Sequence, residues 1–97
     1  MTAIRKVFEF EWNKGNKDKN KKHQVIDKEA EEVFFDENKV IHKDKLHSKH
    51  EKRFTILGRT KDDRLLYVIF TKRGKRIRII SARDINKKEV NLYEKAT

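Results

Sequence analysis

The stretch from Arg53 to Arg83, RFTILGRTKDDRLLYVIFTKRGKRIRIISAR, constrains the fold more than any other part of the chain. Apolar and polar residues alternate through three runs separated by two short polar turns, the pattern of a three-stranded antiparallel meander. Register follows from matching the apolar positions, because a one-residue slip exchanges the two faces of a strand. Centring the first turn on Asp62 sets Phe54 opposite Phe70 and Ile56 opposite Val68. A second, tight turn at Arg73-Gly74 puts Lys72 opposite Lys75, Phe70 opposite Ile77 and Val68 opposite Ile79. One face then carries Phe54, Ile56, Leu66, Val68, Phe70, Ile77 and Ile79 and is the expected core. The other carries Arg53, Thr55, Leu57, Arg59, Tyr67, Ile69, Arg76 and Arg78. Arginine mixed with apolar and tyrosine positions suits a cleft better than a bare solvent face.

The segments around the meander complete an α+β plan. Val7 to Trp12 alternates, with Phe8, Phe10 and Trp12 on one side, and reads as an N-terminal strand. Asn13 to Lys22 carries five lysines and one aspartate with no apolar stripe. It reads either as a solvated loop or as a short surface helix capped by Asn13 and weakened by Gly15. Asp27 is placed as the N-cap of a firmer helix in which Ala30, Val33 and Phe34 recur at helical spacing. Val40 and Ile41 suggest a short strand, and Lys43 to Lys52 a polar loop. A last helix is expected to start near Ser81, with a Ser81–Asp84 capping box and a stripe of Ile85, Leu92 and Ala96 beside Tyr93. Glu89 falls close to that stripe. A carboxylate there needs a partner, and Arg83 or Arg78 is expected to supply it. The expected fold is one α+β domain over residues 1–97. Its antiparallel sheet is the N-terminal strand plus the meander, with two N-terminal helices and one C-terminal helix.

Charge narrows the chemistry. The 97 residues hold 26 Lys+Arg against 16 Asp+Glu, a net charge of +10. On so small a chain that excess points to nucleic acid or an acidic protein as partner, with solubility as the plainer reading. Apolar residues make up 35% and charged ones 43%, near the disordered range, yet the apolar residues are gathered into periodic runs that can build a core. The chain has no cysteine, which excludes disulfides and thiolate chemistry. No apolar run is long enough for a membrane span and no signal peptide is visible, so the expected location is cytoplasmic. His42, His47 and His50 sit in a lysine-rich stretch that repels cations, and no metal or other cofactor is expected. Phosphate binding by arginine is the better-supported chemistry. Arg59 closes the first meander strand and Arg83 follows the third, and guanidinium forks match phosphate geometry. In RNA the neighbouring 2′-hydroxyl is itself a nucleophile, so a protein need supply only an acid, a base and charge stabilisation. His23 is a candidate for proton transfer, with Lys22 beside it. Spacing alone favours reading His23 as an ordinary surface histidine at a helix end, and reads Arg76 and Arg78 equally as solvated or as ligands.

Several segments in order resemble the BrnT family of type II toxin–antitoxin systems. They are Phe10-Glu11-Trp12, the Asn16, Asn20 and Lys22-His23 run, and EEVFFD from Glu31 to Asp36. His47, Lys52 to Phe54 and LGRT from Leu57 to Thr60 follow. RGKRIRIISAR from Arg73 to Arg83, KKE from Lys87 to Glu89, and Tyr93 complete the series. Gln24 stands where the family usually has a glycine after KH, which alters the expected turn, and the N-terminal segment is richer in lysine. The resemblance implies a RelE-like, metal-independent endoribonuclease that cuts mRNA and halts translation. It also implies a BrnA-like antitoxin partner, a ribbon-helix-helix DNA-binding protein. By motif, His23, Arg59 and Arg83 become the catalytic candidates. Arg59 and Arg83 would hold the phosphate and His23 would move a proton. Lys22, Arg53, Arg76 and Arg78 become RNA-binding candidates. Charge alone also admits a non-catalytic RNA- or ribosome-binding module, or a domain that pairs with an acidic protein.

Overall fold

A computed structural model describes residues 8–44 and 51–95. Five strands form one sheet: β1 (Glu9–Phe10), β2 (Val40–Asp44), β3 (Arg53–Arg59), β4 (Leu65–Arg73) and β5 (Arg76–Asp84), in the spatial order β1-β5-β4-β3-β2. The meander pairs antiparallel as the alternation requires. Phe54 faces Phe70 and Ile56 faces Val68, and a turn over Thr60 to Arg64 joins the strands. The turn contains Asp63 at a left-handed φ of 62° and closes with the Thr60 N–H donating to the Arg64 carbonyl at 2.8 Å.

The second hairpin corrects the expected register by two residues. Arg73 faces Arg76 and Phe70 faces Ile79, so the turn residues are Gly74 and Lys75. Gly74 has φ 61°, which a tight hairpin demands and glycine adopts without strain. A two-residue slip preserves the faces, so Phe70, Ile77 and Ile79 still reach the core. Beyond this point β5 departs from simple alternation. Ile69 faces Ser81 while the adjacent Phe70 faces Ile79, which leaves Ile80 as the extra residue of a β-bulge. The bulge inverts the phase of β5. Ala82 turns into the core, and Arg83 turns to the opposite face, directly across from Tyr67. Without it, the alternation that buries Ile77 and Ile79 would drive Arg83 inward.

The sheet is mixed rather than antiparallel throughout. β1 is short and runs parallel to β5, pairing Glu9 with Arg76 and Phe10 with Ile77. Alternating residues reveal a strand but not its direction, which is set by the long return of the chain. Phe8, Phe10 and Trp12 pack on the core, as their spacing suggests. Val7 lies outside the described residues, as do His47, His50 and most of the polar loop; Lys43 and Asp44 belong to β2.

The first expected helix is only a 3-10 helix, Lys19–His23. Asp18 and Gln24 hold left-handed φ values of 59° and 60° at its two ends and restrict it to that length. Asn13 caps a turn instead, accepting the Gly15 N–H at 2.8 Å. Helix α1 (Asp27–Glu32) continues into a 3-10 turn, Val33–Phe35. Asp27 is its first residue rather than its cap, and the Glu29 carboxylate accepts the Ile26 N–H at 3.1 Å. Ala30, Val33 and Phe34 are buried against one sheet face. The approach is close: a Cβ on Gly58 of β3 would lie 2.8 Å from both the Cβ and the carbonyl oxygen of Val33.

Helix α2 (Lys87–Lys95) lies over the other face and starts later than expected, because β5 runs on to Asp84. Its capping box is Asn86 and Glu89. The Glu89 N–H donates to the Asn86 side chain at 2.9 Å and the Asn86 N–H to the Glu89 carboxylate at 3.0 Å. Tyr93 is its buried residue and Leu92 is half exposed, so the inward stripe runs through Glu89 and Tyr93 rather than Leu92. Among the described residues no helix is long and apolar enough to cross a membrane.

Candidate functional site

The lysine-rich segment is positioned by its uncharged residues. β1 covers the outer edge of β5 only as far as Ile77, where the Glu11 N–H donates to the Ile77 carbonyl at 2.8 Å. Farther along, asparagines take over the edge. The Asn16 amide donates to the Ile79 carbonyl at 3.0 Å and to the Glu11 carbonyl at 2.9 Å. The Asn20 side-chain oxygen accepts the Ala82 N–H at 3.0 Å. Both asparagines are buried, so each satisfies backbone groups that would otherwise be orphaned beside the bulge. Four residues later comes Gln24, whose carbonyl accepts from Arg64 at 2.7 Å. The 16–20–24 spacing thus lays the segment along β5 and delivers Lys22 and His23, both exposed, toward the end of the strand that carries Arg83. Gln24 takes the left-handed conformation that a glycine would take without strain, at a cost of roughly 1–2 kcal/mol for a residue with a side chain.

Arg59 and Arg83 share the α2 face. They sit on β3 and β5 with β4 between, and sheet spacing separates their Cα atoms by roughly 12 Å. Both guanidiniums engage aromatic rings, Arg83 at 4.0 Å from the Tyr67 centroid and Arg59 at 5.6 Å from that of Tyr93. Arg83 also makes the ion pair that the sequence suggested, bidentate to Glu89 at 2.9 and 2.7 Å. The hydrogen bond to Glu89 raises the Arg83 pKa. Burial opposes ionisation of Glu89, yet Arg83 and the Asn86 N–H hold its carboxyl below the usual range. One turn along α2, the Tyr93 hydroxyl donates to Asp36 at 2.6 Å, and the Arg59 N–H donates to the same oxygen at 2.8 Å. Burial works against the Asp36 charge, but Tyr93 and the Asn38 and Arg59 N–H groups lower its pKa overall. Burial and the Asp36 hydrogen bond push the Tyr93 hydroxyl up, so it stays a donor at neutral pH. The face is therefore polar and pre-organised: one cationic fork lies over Tyr93, and the other lies over Tyr67 and already holds a planar oxyanion.

The remaining candidates lie elsewhere. Arg53 and Arg76 are at the opposite ends of their strands from Arg59 and Arg83, about 20 Å along. Arg76 is exposed. Arg78 is largely buried and engaged with Glu11 at 3.2 Å and Asn13 at 3.1 Å. Arg64 did not stand out in the sequence. It is the last residue of the first turn and joins Gln24, Glu29 and Asp84. Its only sequence signal is an arginine following an Asp-Asp turn, a pattern with many plainer explanations. A cleft of about 520 Å³ beside Arg59 is lined by Phe35, Asp36, Asn38 and Lys61 among others. Among the described residues no three His, Asp or Glu side chains cluster to hold a metal ion.

Residues 12–89 match the model of a family described as the ribonuclease toxin, BrnT, of type II toxin–antitoxin systems. No curated protein matches the chain.

Proposed function

The chain belongs to the BrnT family of ribonuclease toxins of type II toxin–antitoxin systems, and from that premise we propose that it is a metal-independent, RelE-like endoribonuclease that cleaves mRNA in the cytoplasm. Membership implies an RNA substrate and an antitoxin partner. The observation that carries the reading is the shared face: arginines from non-adjacent strands, Arg59 over Tyr93 and Arg83 over Tyr67, lie on the same side of the sheet. A phosphodiester between them would meet two guanidinium forks as charge grows on its oxygens. The 2′-hydroxyl of the preceding ribose attacks the phosphorus, the 5′-oxygen of the next nucleotide leaves, and a cyclic phosphate results. His23 exchanges a proton with the attacking or leaving oxygen, with Lys22 adding charge. Arg53 and Arg76 extend the cationic surface toward more distant phosphates, and Arg78 contributes only by releasing Glu11. The antitoxin is a BrnA-like ribbon-helix-helix protein.

The test is cleavage of RNA by purified protein in a chelator. Wild type cuts, and His23→Ala, Arg59→Ala and Arg83→Ala each lose at least about a hundredfold while staying folded by circular dichroism. RNA that is bound but left intact at every dose refutes the activity. The closed Arg83–Glu89 pair favours a second reading, a non-catalytic RNA- or ribosome-binding module. That reading expects salt-sensitive binding and equal tolerance of His23→Ala and Lys21→Ala.

A further inference from the structure

We propose that Arg64 is a positioning residue for the cleavage site, tying the turn that presents His23 to the strand end that presents Arg83. The inference rests on the ribonuclease reading and names the group that assembles that site. Gln24 and Asp84 are the chain neighbours of His23 and Arg83, and one guanidinium spans both. Arg64 Nε donates to Asp84 Oδ1 at 2.7 Å, and Nη1 donates to the Gln24 carbonyl at 2.7 Å. The Glu29 carboxylate, at 3.2 and 3.3 Å from Nη1, holds the same fork from α1. The Arg64 side chain is only 26% exposed. Its own backbone is fixed by the β3–β4 turn, where the Arg64 N–H donates to the Thr60 hydroxyl at 3.1 Å.

Two further observations say what the link does. Gln24 is in a left-handed conformation that a side chain disfavours, so the turn directly after His23 needs an external hold. The asparagine contacts that align this segment with β5 end at Ala82. From there to the strand end, the connection runs Gln24–Arg64–Asp84. His23 thus lies between the Asn20 tie to Ala82 and the Gln24 tie to Arg64. Lysine has the charge but not the planar fork, and a single ammonium does not reproduce two divergent hydrogen bonds in fixed directions.

A double-mutant cycle on RNA cleavage under single-turnover conditions, in chelator, separates positioning from folding. Arg64→Lys is expected to lower the rate constant about tenfold with RNA affinity nearly unchanged. Made in the His23→Ala background, the same substitution is expected to cost less than about twofold, because there is no longer a proton-transfer group to misplace. Asp84→Asn, an exposed change that leaves Gln24 and Glu29 on Arg64, is the second variant and should show the same loss and the same cancellation. Equal losses in both backgrounds, or wild-type rates for both variants, overturn the role of Arg64. Should His23→Ala and Arg83→Ala themselves cleave normally, the ribonuclease site fails, and the positioning role with it. Losses in those two, with Arg64→Lys and Asp84→Asn unaffected, leave the site standing and remove Arg64 alone.

Discussion

The two faces of the sheet are built on opposite principles. The face toward α1 is dry: Val33, Phe34, Leu66, Val68 and Ile79 are buried, and Phe34 meets Phe10 and Phe70 edge-on at 5.2 and 5.0 Å. The face toward α2 buries Leu57 and Tyr93, but its specific contacts are ionic or hydrogen-bonded: Arg83 with Glu89, Tyr93 with Asp36, Arg59 over Tyr93. Packing on the first face supplies stability through buried area, which is insensitive to pH and to small polar changes. The second face holds charged groups in fixed places at modest net gain, the arrangement that binding an anion requires.

Truncating the dry face should have the largest effect. Phe34→Ala is expected to cost about 3–5 kcal/mol in denaturant unfolding, with cleavage per folded molecule retained. Arg83→Ala should do the reverse: a loss of about 10²–10³ in cleavage rate with a small shift in Tm. If Arg83→Ala instead unfolds the protein and Phe34→Ala abolishes cleavage by folded molecules, the division of labour between the faces is wrong. Asn20→Ala tests the seam between them. It leaves the buried Ala82 N–H unpaired and should cost about 1–3 kcal/mol, with a further fall in cleavage as His23 loses its alignment.

Acid acts on the second face. The folded pKa of Glu89 lies below its ordinary 4.5, so its stabilising contribution is complete above pH 4.5 and drains away as pH falls through the folded value. Asp36 behaves in the same way below its ordinary 3.8. Glu89→Gln should therefore be less stable at pH 7, by about 1 kcal/mol, and lose less on acidification than wild type. Parallel pH–stability curves for the two proteins would place the acid sensitivity elsewhere. Tyr93→Phe is expected to have an effect of similar size, about 1 kcal/mol, measurable as a shift in denaturant midpoint.

How much of this was legible in the sequence follows from which signals are local. The Phe54–Phe70 and Ile56–Val68 pairing could be read because apolar matching around a short turn admits one good register. The Arg83–Glu89 pair could be read because an acid on an apolar stripe needs a cation. The bulge at Ile80 was not legible: in IRIISAR an extra isoleucine fits either face, and only tertiary packing decides which one it takes. The parallel direction of β1 was likewise silent, since alternation has no sign. Asn16 and Asn20 were visible as words but not as ties to β5, because nothing in a lysine-rich run distinguishes a buried amide from a solvated one. His23, Arg59 and Arg83 were each picked out individually. What the sequence did not offer was Arg64, whose guanidinium links Gln24 to Asp84.

The most direct test of the chemistry uses two RNAs that are identical except for a single 2′-deoxy sugar on the 5′ side of the cleaved bond, incubated with the protein in excess chelator. The all-ribose strand should be cut to leave a 2′,3′-cyclic phosphate, and the substituted strand should stay intact at that bond. Cleavage of both at equal rates would contradict attack by the 2′-hydroxyl on a phosphate held by Arg59 and Arg83.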